Sequence, residues 1–224
     1  MDKVLDGVTF FHQDPKVYSG PVIDGKLIPE QLMETFQRGC QARVPYMVGT
    51  TGLELGALPG VYAALGFQKL PEPDRTAILA AYDPDHSRNR GEVAAEALSD
   101  QAFAEPARAM ARLAARVDQP VWIYRFEYVV GHSRDAQRGA FHASDVPYTF
   151  DTLDLVDPKA TPADLQMAHA VGDYWANFVK FHDPNGASQP TWPQAGRSGD
   201  QILRFTSEGP VAGSDLRKAR LDVL

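Results

Sequence analysis

Across 224 residues there is one cysteine, Cys40. A single thiol excludes an internal disulfide and a cysteine-based metal cluster. Placed after Gly39 at an expected helix end, Cys40 reads as a small, half-buried residue. The histidines, His12, His86, His132, His142, His169 and His182, have no metalloprotease spacing. No metal site and no cofactor are therefore expected. Nothing approaches the run of about 18 apolar residues that a membrane span needs. The opening M-D-K-V-L-D-G-V-T-F lacks the apolar core of a secretory signal, so the expected location is cytoplasmic. Positive charge is also in short supply, with 22 Lys and Arg against 29 Asp and Glu and a net charge of −7. That balance argues against nucleic acid or an anionic membrane as partner. Repeats, low-complexity tracts and long linkers are missing too, so residues 1–224 read as one domain. A hydrophobic content of 44% suffices for its core.

What is present alternates between helical and extended patterns. Ser19-Gly20-Pro21 and Asp24-Gly25 are turn chemistry, and Val22-Ile23 between them is at most an edge strand. Leu27–Gly39 reads as a helix with Pro29 in its first turn and Gly39 as its stop. Val44–Gly49 is a short apolar strand. Glu72–Tyr82 is an amphipathic helix, followed by an exposed loop at Asp85–Arg90. In Phe103–Val117 one face carries Phe103, Ala107, Met110, Ala114 and Val117, while Arg108, Arg112 and Arg116 recur on another, expected to be solvated. Val121–Val130 alternates Trp122, Tyr124, Phe126 and Tyr128 with Ile123, Arg125 and Glu127, a strand whose charged members argue against apolar packing on both faces. Pro147–Phe150 opens an extended run. Thr161–Phe181 is a long helix with Thr161 as N-cap and Pro162 at N1. A Pro/Gly/Asn-rich loop at Asp183–Arg197, a strand at Ile202–Phe205 and a helix at Asp215–Leu221 complete the chain. Helix, strand, then glycine-rich turn is the rhythm of an α/β fold with a few mostly parallel strands and flanking helices, whose sites gather at the strands' carboxyl ends.

Two stretches carry candidate chemistry. Gly139–Phe150, G-A-F-H-A-S-D-V-P-Y-T-F, puts His142 in a loop beyond the aromatic strand. Val48–Gly56, V-G-T-T-G-L-E-L-G, puts Glu54 in a glycine-rich turn after a short strand. Loop histidines are often only solvated or structural, although catalytic residues favour such positions. Together with Pro21–Gly25 (P-V-I-D-G), Trp175–Pro184 (W-A-N-F-V-K-F-H-D-P) and the Asp215–Asp222 tail, these stretches resemble type-B carboxylesterases, the cholinesterase-like branch of the α/β-hydrolases. The resemblance runs through nearly the whole chain in the right order, but over only the C-terminal part of that longer fold. It implies that Glu54 is the acid and His142 the base of a Ser-Glu-His triad acting on small carboxylic esters. It departs from the family at Leu53, where an acidic residue is usual, at Ala143, where glycine is usual, and at Asp145, where glutamate is usual.

The nucleophile is what the sequence lacks. In α/β-hydrolases the order is serine, acid, histidine, so the serine belongs upstream of Glu54 on a G-x-S-x-G elbow. Only Ser19 lies there, in S-G-P. Ser198, in G-R-S-G-D, has no closing glycine and follows His142. An H-G-G-G-type loop for oxyanion donors is missing as well. The resemblance therefore implies a chain that handles the proton while the attacking oxygen comes from elsewhere, inactive alone. Strands cut from one edge half of a larger sheet would leave an inner strand unpaired. The expected partner is the N-terminal esterase portion, or a second copy through the same edge. The competing expectations are an inactive cholinesterase-like interaction module and an inactive truncated fragment.

Overall fold

Asp24 decides how the first described segment folds. Its carboxylate accepts the N–H groups of Lys26, Leu27 and Ile28 at 2.9, 2.9 and 3.0 Å. Those amides are thereby held in a turn, and the helix expected over Leu27–Gly39 is shortened to α1, Leu32–Gln37. At its other end Gly39 adopts φ +67°, and the Gly39 and Cys40 amides bond back to Phe36 and Thr35. This left-handed stop turns Cys40 outward, so the half-buried cysteine of the sequence reading is in fact exposed. Val22 and Ile23 form no strand. The structure, a computed structural model, describes residues 22–56 and 67–224, and the chain divides into two compact units after Gln41. The turn expected at Ser19-Gly20-Pro21 and the residue His12 lie outside the described residues.

The second unit is built on one four-stranded sheet of order β1-β2-β3-β4. β1 is Tyr46–Thr51, β2 Val121–Phe126, β3 Gln201–Thr206 and β4 Gly209–Ser214. β1 to β3 run parallel and β4 returns antiparallel on β3. The mixed sheet with flanking helices is a partial α/β-hydrolase arrangement. β2 stops at Phe126 rather than Val130. Glu127 N–H still bonds the Phe205 carbonyl of β3 (3.0 Å), and beyond it the chain leaves the ladder, with Tyr128 packed into the core beyond the sheet.

Between β1 and β2 come α2 (Glu72–Tyr82), α3 (Arg90–Ser99) and α4 (Glu105–Arg116). α3 and α4 are one continuous helical path interrupted by a π-turn at Asp100–Ala104. The arginine row of α4 is not a solvated face. Arg108 is 3% exposed and bonds Glu105 and Asp222, Arg112 donates to the Ser198 carbonyl, and Arg116 alone is exposed. Partners more than eighty residues away, in the chain's last stretch, reclaimed two of the three charges.

After β2 the chain forms α5 (Val146–Thr149) and α6 (Leu153–Val156), where Pro147–Phe150 was expected to be extended. Pro147 instead serves as an early helical residue, for which its fixed φ is suited. α7, Pro162–Phe181, begins where the sequence placed it. Its Met167, Ala168, Val171 and Tyr174 meet Trp122, Phe126 and Tyr128 in the main core, with Trp192, Leu203 and Phe205. The larger aliphatic and phenylalanine side chains among them contribute about 1.5–3 kcal/mol each when fully buried. The other side of β2 holds the charge that looked incompatible with burial. Arg125 is 4% exposed and forms a two-bond pair with Asp215 (2.6 and 3.0 Å), just before α8, Lys218–Leu221. Among the described residues no helix is long and apolar enough to cross a membrane.

Candidate functional site

The parallel ladder fixes which amides of β1 are free. Tyr46 N–H bonds the Pro120 carbonyl (2.9 Å) and Gly52 N–H bonds that of Phe126 (2.7 Å). Even-numbered amides therefore face β2, and odd-numbered ones face the other way. Thr51 is odd, and its N–H is taken by Glu54 Oε1 at 2.7 Å. The turn at residues 52–56 thus folds Glu54 back over the end of its own strand. Its second oxygen, Oε2, lies 2.6 Å from His142 Nδ1. A carboxylate only accepts here, so Nδ1 carries the proton. Glu54 is 7% exposed, with both oxygens engaged.

Two backbone bonds join the loops that carry these residues. Leu53 N–H donates to Ala140 O (2.9 Å) and His142 N–H to Glu54 O (3.3 Å). Leu55 N–H is held by Ser99 Oγ at the end of α3 (2.9 Å). Leu53, the departure from the acidic residue usual there, is buried and packs on Gly139, where any Cβ would come within 3.0 Å of the leucine. Of the three glycines expected to shape the Glu54 turn, Gly52 and Gly56 do so. Gly49 lies within β1 beneath the Tyr124 ring, which a Cβ at that position would penetrate.

His142 itself is open. Its side chain is 63% exposed, its ring rests against Phe103 of the π-turn (5.4 Å between centroids), and Nε2 makes no hydrogen bond among the described residues. One ring nitrogen is anchored and the other is presented. Three residues on, Asp145 accepts from Tyr124 Oη (3.1 Å). Burial raises the Asp145 carboxyl, the tyrosine pulls it the other way without prevailing, and the Glu54 charge adds to the rise. Burial, then Asp145, likewise pushes the Tyr124 hydroxyl upward. Sequence reasoning did not find the Thr51 amide, Ser99, Phe103 or Tyr124 at this site. Only Tyr124 left a signal, since strand alternation puts it on the same side as Trp122 and Phe126. Among the described residues no group of three His, Cys, Asp or Glu could hold a metal ion.

The sequence profile of the carboxylesterase family matches residues 63–224. The chain belongs to the carboxylesterase family. It is similar to para-nitrobenzyl esterase of Bacillus subtilis (strain 168), 26% identical over 207 residues, covering 86% of this chain and 40% of that one. Carboxylesterase 1F of Mus musculus is 26% identical over 201 residues, covering 77% and 35%. "Crystal protein" of Dictyostelium discoideum is 24% identical over 210 residues, covering 84% and 36%. The chain thus spans under half the length of these relatives. Family membership agrees with the resemblance drawn from the Glu54 and His142 stretches.

Proposed function

We propose that this chain supplies the acid and the base of a serine carboxylesterase acting on small carboxylic esters. The observation that carries the reading is the 2.6 Å contact from His142 Nδ1 to a buried Glu54, with Nε2 left exposed and unbonded among the described residues. In that arrangement Nε2 takes the proton of an attacking serine and returns it to the leaving alcohol. Glu54 holds the imidazole in the required tautomer and stabilises its cation. Being already bonded by Thr51 N–H, the carboxylate needs little rearrangement to do so. The serine and the oxyanion donors belong to an esterase portion outside these 224 residues, because no G-x-S-x-G occurs among them. The outward amides of Met47 and Gly49 on β1, a strand that pairs only with β2 among the described residues, are where that portion or a second copy adds to the sheet.

The test is hydrolysis of a short p-nitrophenyl ester by the chain alone and with a nucleophile-bearing esterase portion. Turnover is expected only in the second case. His142→Ala should then lower kcat by at least about a thousandfold, and Glu54→Gln by a comparable factor. Turnover by the chain alone that disappears in His142→Ala would overturn the claim of an external serine. Turnover of the assembled protein that survives both substitutions would overturn the roles given to Glu54 and His142.

A further inference from the structure

A second carboxylate–histidine pair, this one with a serine attached, lies beyond β2 at the short helical turn Gly131–Ser133. His132 Nε2 is 2.8 Å from Asp157 Oδ2, and His132 Nδ1 is 3.1 Å from Ser133 Oγ. Asp157 is held much as Glu54 is, with a backbone amide, Lys159 N–H, on its other oxygen (3.0 Å). The bond to His132, helped by the Lys159 amide, outweighs slight burial and keeps the Asp157 carboxyl below the usual range. An ionised carboxylate only accepts, so Nε2 carries the proton of the neutral ring. Nδ1 is left with its lone pair, and the Ser133 hydroxyl donates to it. The turn that aligns these groups is pinned. Gly131 N–H donates to Asp164 (2.9 Å), Ser133 N–H to the Val130 carbonyl (2.9 Å), and the Ala136 and Gln137 amides to the Ser133 carbonyl (3.0 and 2.9 Å). The array is also reachable, since Ser133 is half-buried and the His132 and Asp157 side chains are 35% and 22% exposed. The Asp135 amide, two residues past the serine, makes no hydrogen bond among the described residues.

We propose that Ser133 is an acylation site, taking the acyl group of an activated ester with His132 as general base and Asp157 as the carboxylate that orients it. Ser133 Oγ attacks the carbonyl carbon while its proton passes to His132 Nδ1, and Asp157 offsets the charge that the ring acquires. The bond from that carbon to the leaving oxygen then breaks. Its electron pair departs with the leaving group, and His132 passes the proton on to it. An aryl ester suits this step because its phenolate leaves readily, with little help from oxyanion donors. The seryl ester left behind has a poorer leaving group, and its hydrolysis depends on a set of such donors. Beside Ser133 the Asp135 amide is a single candidate for that role, so the acyl group is retained and no turnover follows. The site is separate from Glu54 and His142 and draws on nothing outside these residues.

The full chain treated with p-nitrophenyl acetate, quenched in acid at intervals and mapped by peptide mass spectrometry shows where acetyl groups settle and how fast. Ser133 should be acetylated at least about a hundredfold faster than Ser188, an exposed serine that bonds no histidine among the described residues. Asp157→Asn should slow acetylation of Ser133 at least about tenfold. Its Oδ1 still accepts Lys159 N–H, so the fold is not at risk, but the amide nitrogen then faces His132 Nε2. The tautomer reverses, and an Nδ1 that already holds a proton cannot take one from the serine. His132→Ala should bring Ser133 down to the rate of Ser188. Acetylation of Ser133 no faster than that of Ser188, or equally fast in Asp157→Asn, would show the three groups to be a surface hydrogen-bond chain only and would overturn the proposal.

Discussion

Ala143 sits next to the histidine in a backbone conformation that alanine does not favour, with φ +63°. A left-handed alanine costs roughly 1–2 kcal/mol, of which glycine recovers most at a smaller entropic cost. Ala143→Gly is therefore expected to raise stability by about 0.5–1 kcal/mol in urea unfolding. The same exchange at an ordinary loop position lowers it. An unchanged or lower midpoint would mean that the methyl group makes contacts outweighing the strain. The opposite case is Gly49. Its neighbour across the ladder, Tyr124, is wedged among Trp175, Trp192 and Phe205, so the ring cannot swing aside for a new methyl. Gly49→Ala should cost about 1–3 kcal/mol, read as a lower urea midpoint with the m-value unchanged. Glu54 and His142 were legible in the sequence because each sits in a short, locally encoded motif. The groups that complete them were not, because Tyr124 and Ser99 approach from segments that share no pattern with those motifs.

At the scale of single elements, α7 shows how a local signal survives folding. Thr161 caps it and Asp164 answers in the reciprocal position, at 3.3 Å and 2.7 Å. Asp164 also receives Tyr128 Oη and Gly131 N–H, which ties the helix start to the segment after β2. Burial alone would raise this carboxyl, but the hydrogen bonds from Thr161, Tyr128 and Gly131 outweigh it and hold it at about 2. A carboxyl lowered in the folded state stabilises above its ordinary value of 3.8 and loses that contribution as pH falls towards about 2. The loss is on the order of 1–2 kcal/mol once partial solvent screening is allowed for. Asp164→Asn should flatten the stability curve between about pH 4 and 2, measured by urea unfolding at each pH, besides weakening the protein at neutrality. The cap motif T-P-A-D made this start readable. β4 was not readable, because Gly209-Pro210-Val211-Ala212-Gly213 has little strand preference and takes its form from the hairpin with β3. α5 was missed for the related reason that four residues after a loop carry no periodicity.

For the second unit as a whole, the last residues close on the first strand's turn. Asp215 pairs with Arg125 in β2, and Arg217 reaches both Asp100 of the π-turn (3.0 Å) and the Gly52 carbonyl (2.8 Å) beside Glu54. Asp100 in turn accepts from Tyr82 of α2 (2.9 Å). No local pattern announces the bonds of Asp215 and Arg217, since they join positions 90 to 165 residues apart. They make the geometry of the Glu54 turn depend on the tail. Arg217→Met would leave the Gly52 carbonyl and half of Asp100 without a donor, while Tyr82 still serves Asp100. The expected cost is about 2 kcal/mol, below the roughly 3–5 kcal/mol of a fully orphaned buried charge. Its more telling consequence is local. The Thr51 amide, which is donated to Glu54, should exchange with solvent at least tenfold faster, while amides in the middle of α7 slow or quicken only with global stability. Hydrogen exchange that rose equally at Thr51 and in α7 would show the arginine to be a general staple. A Thr51 response standing clear of α7 would place the tail in control of the acid that orients His142.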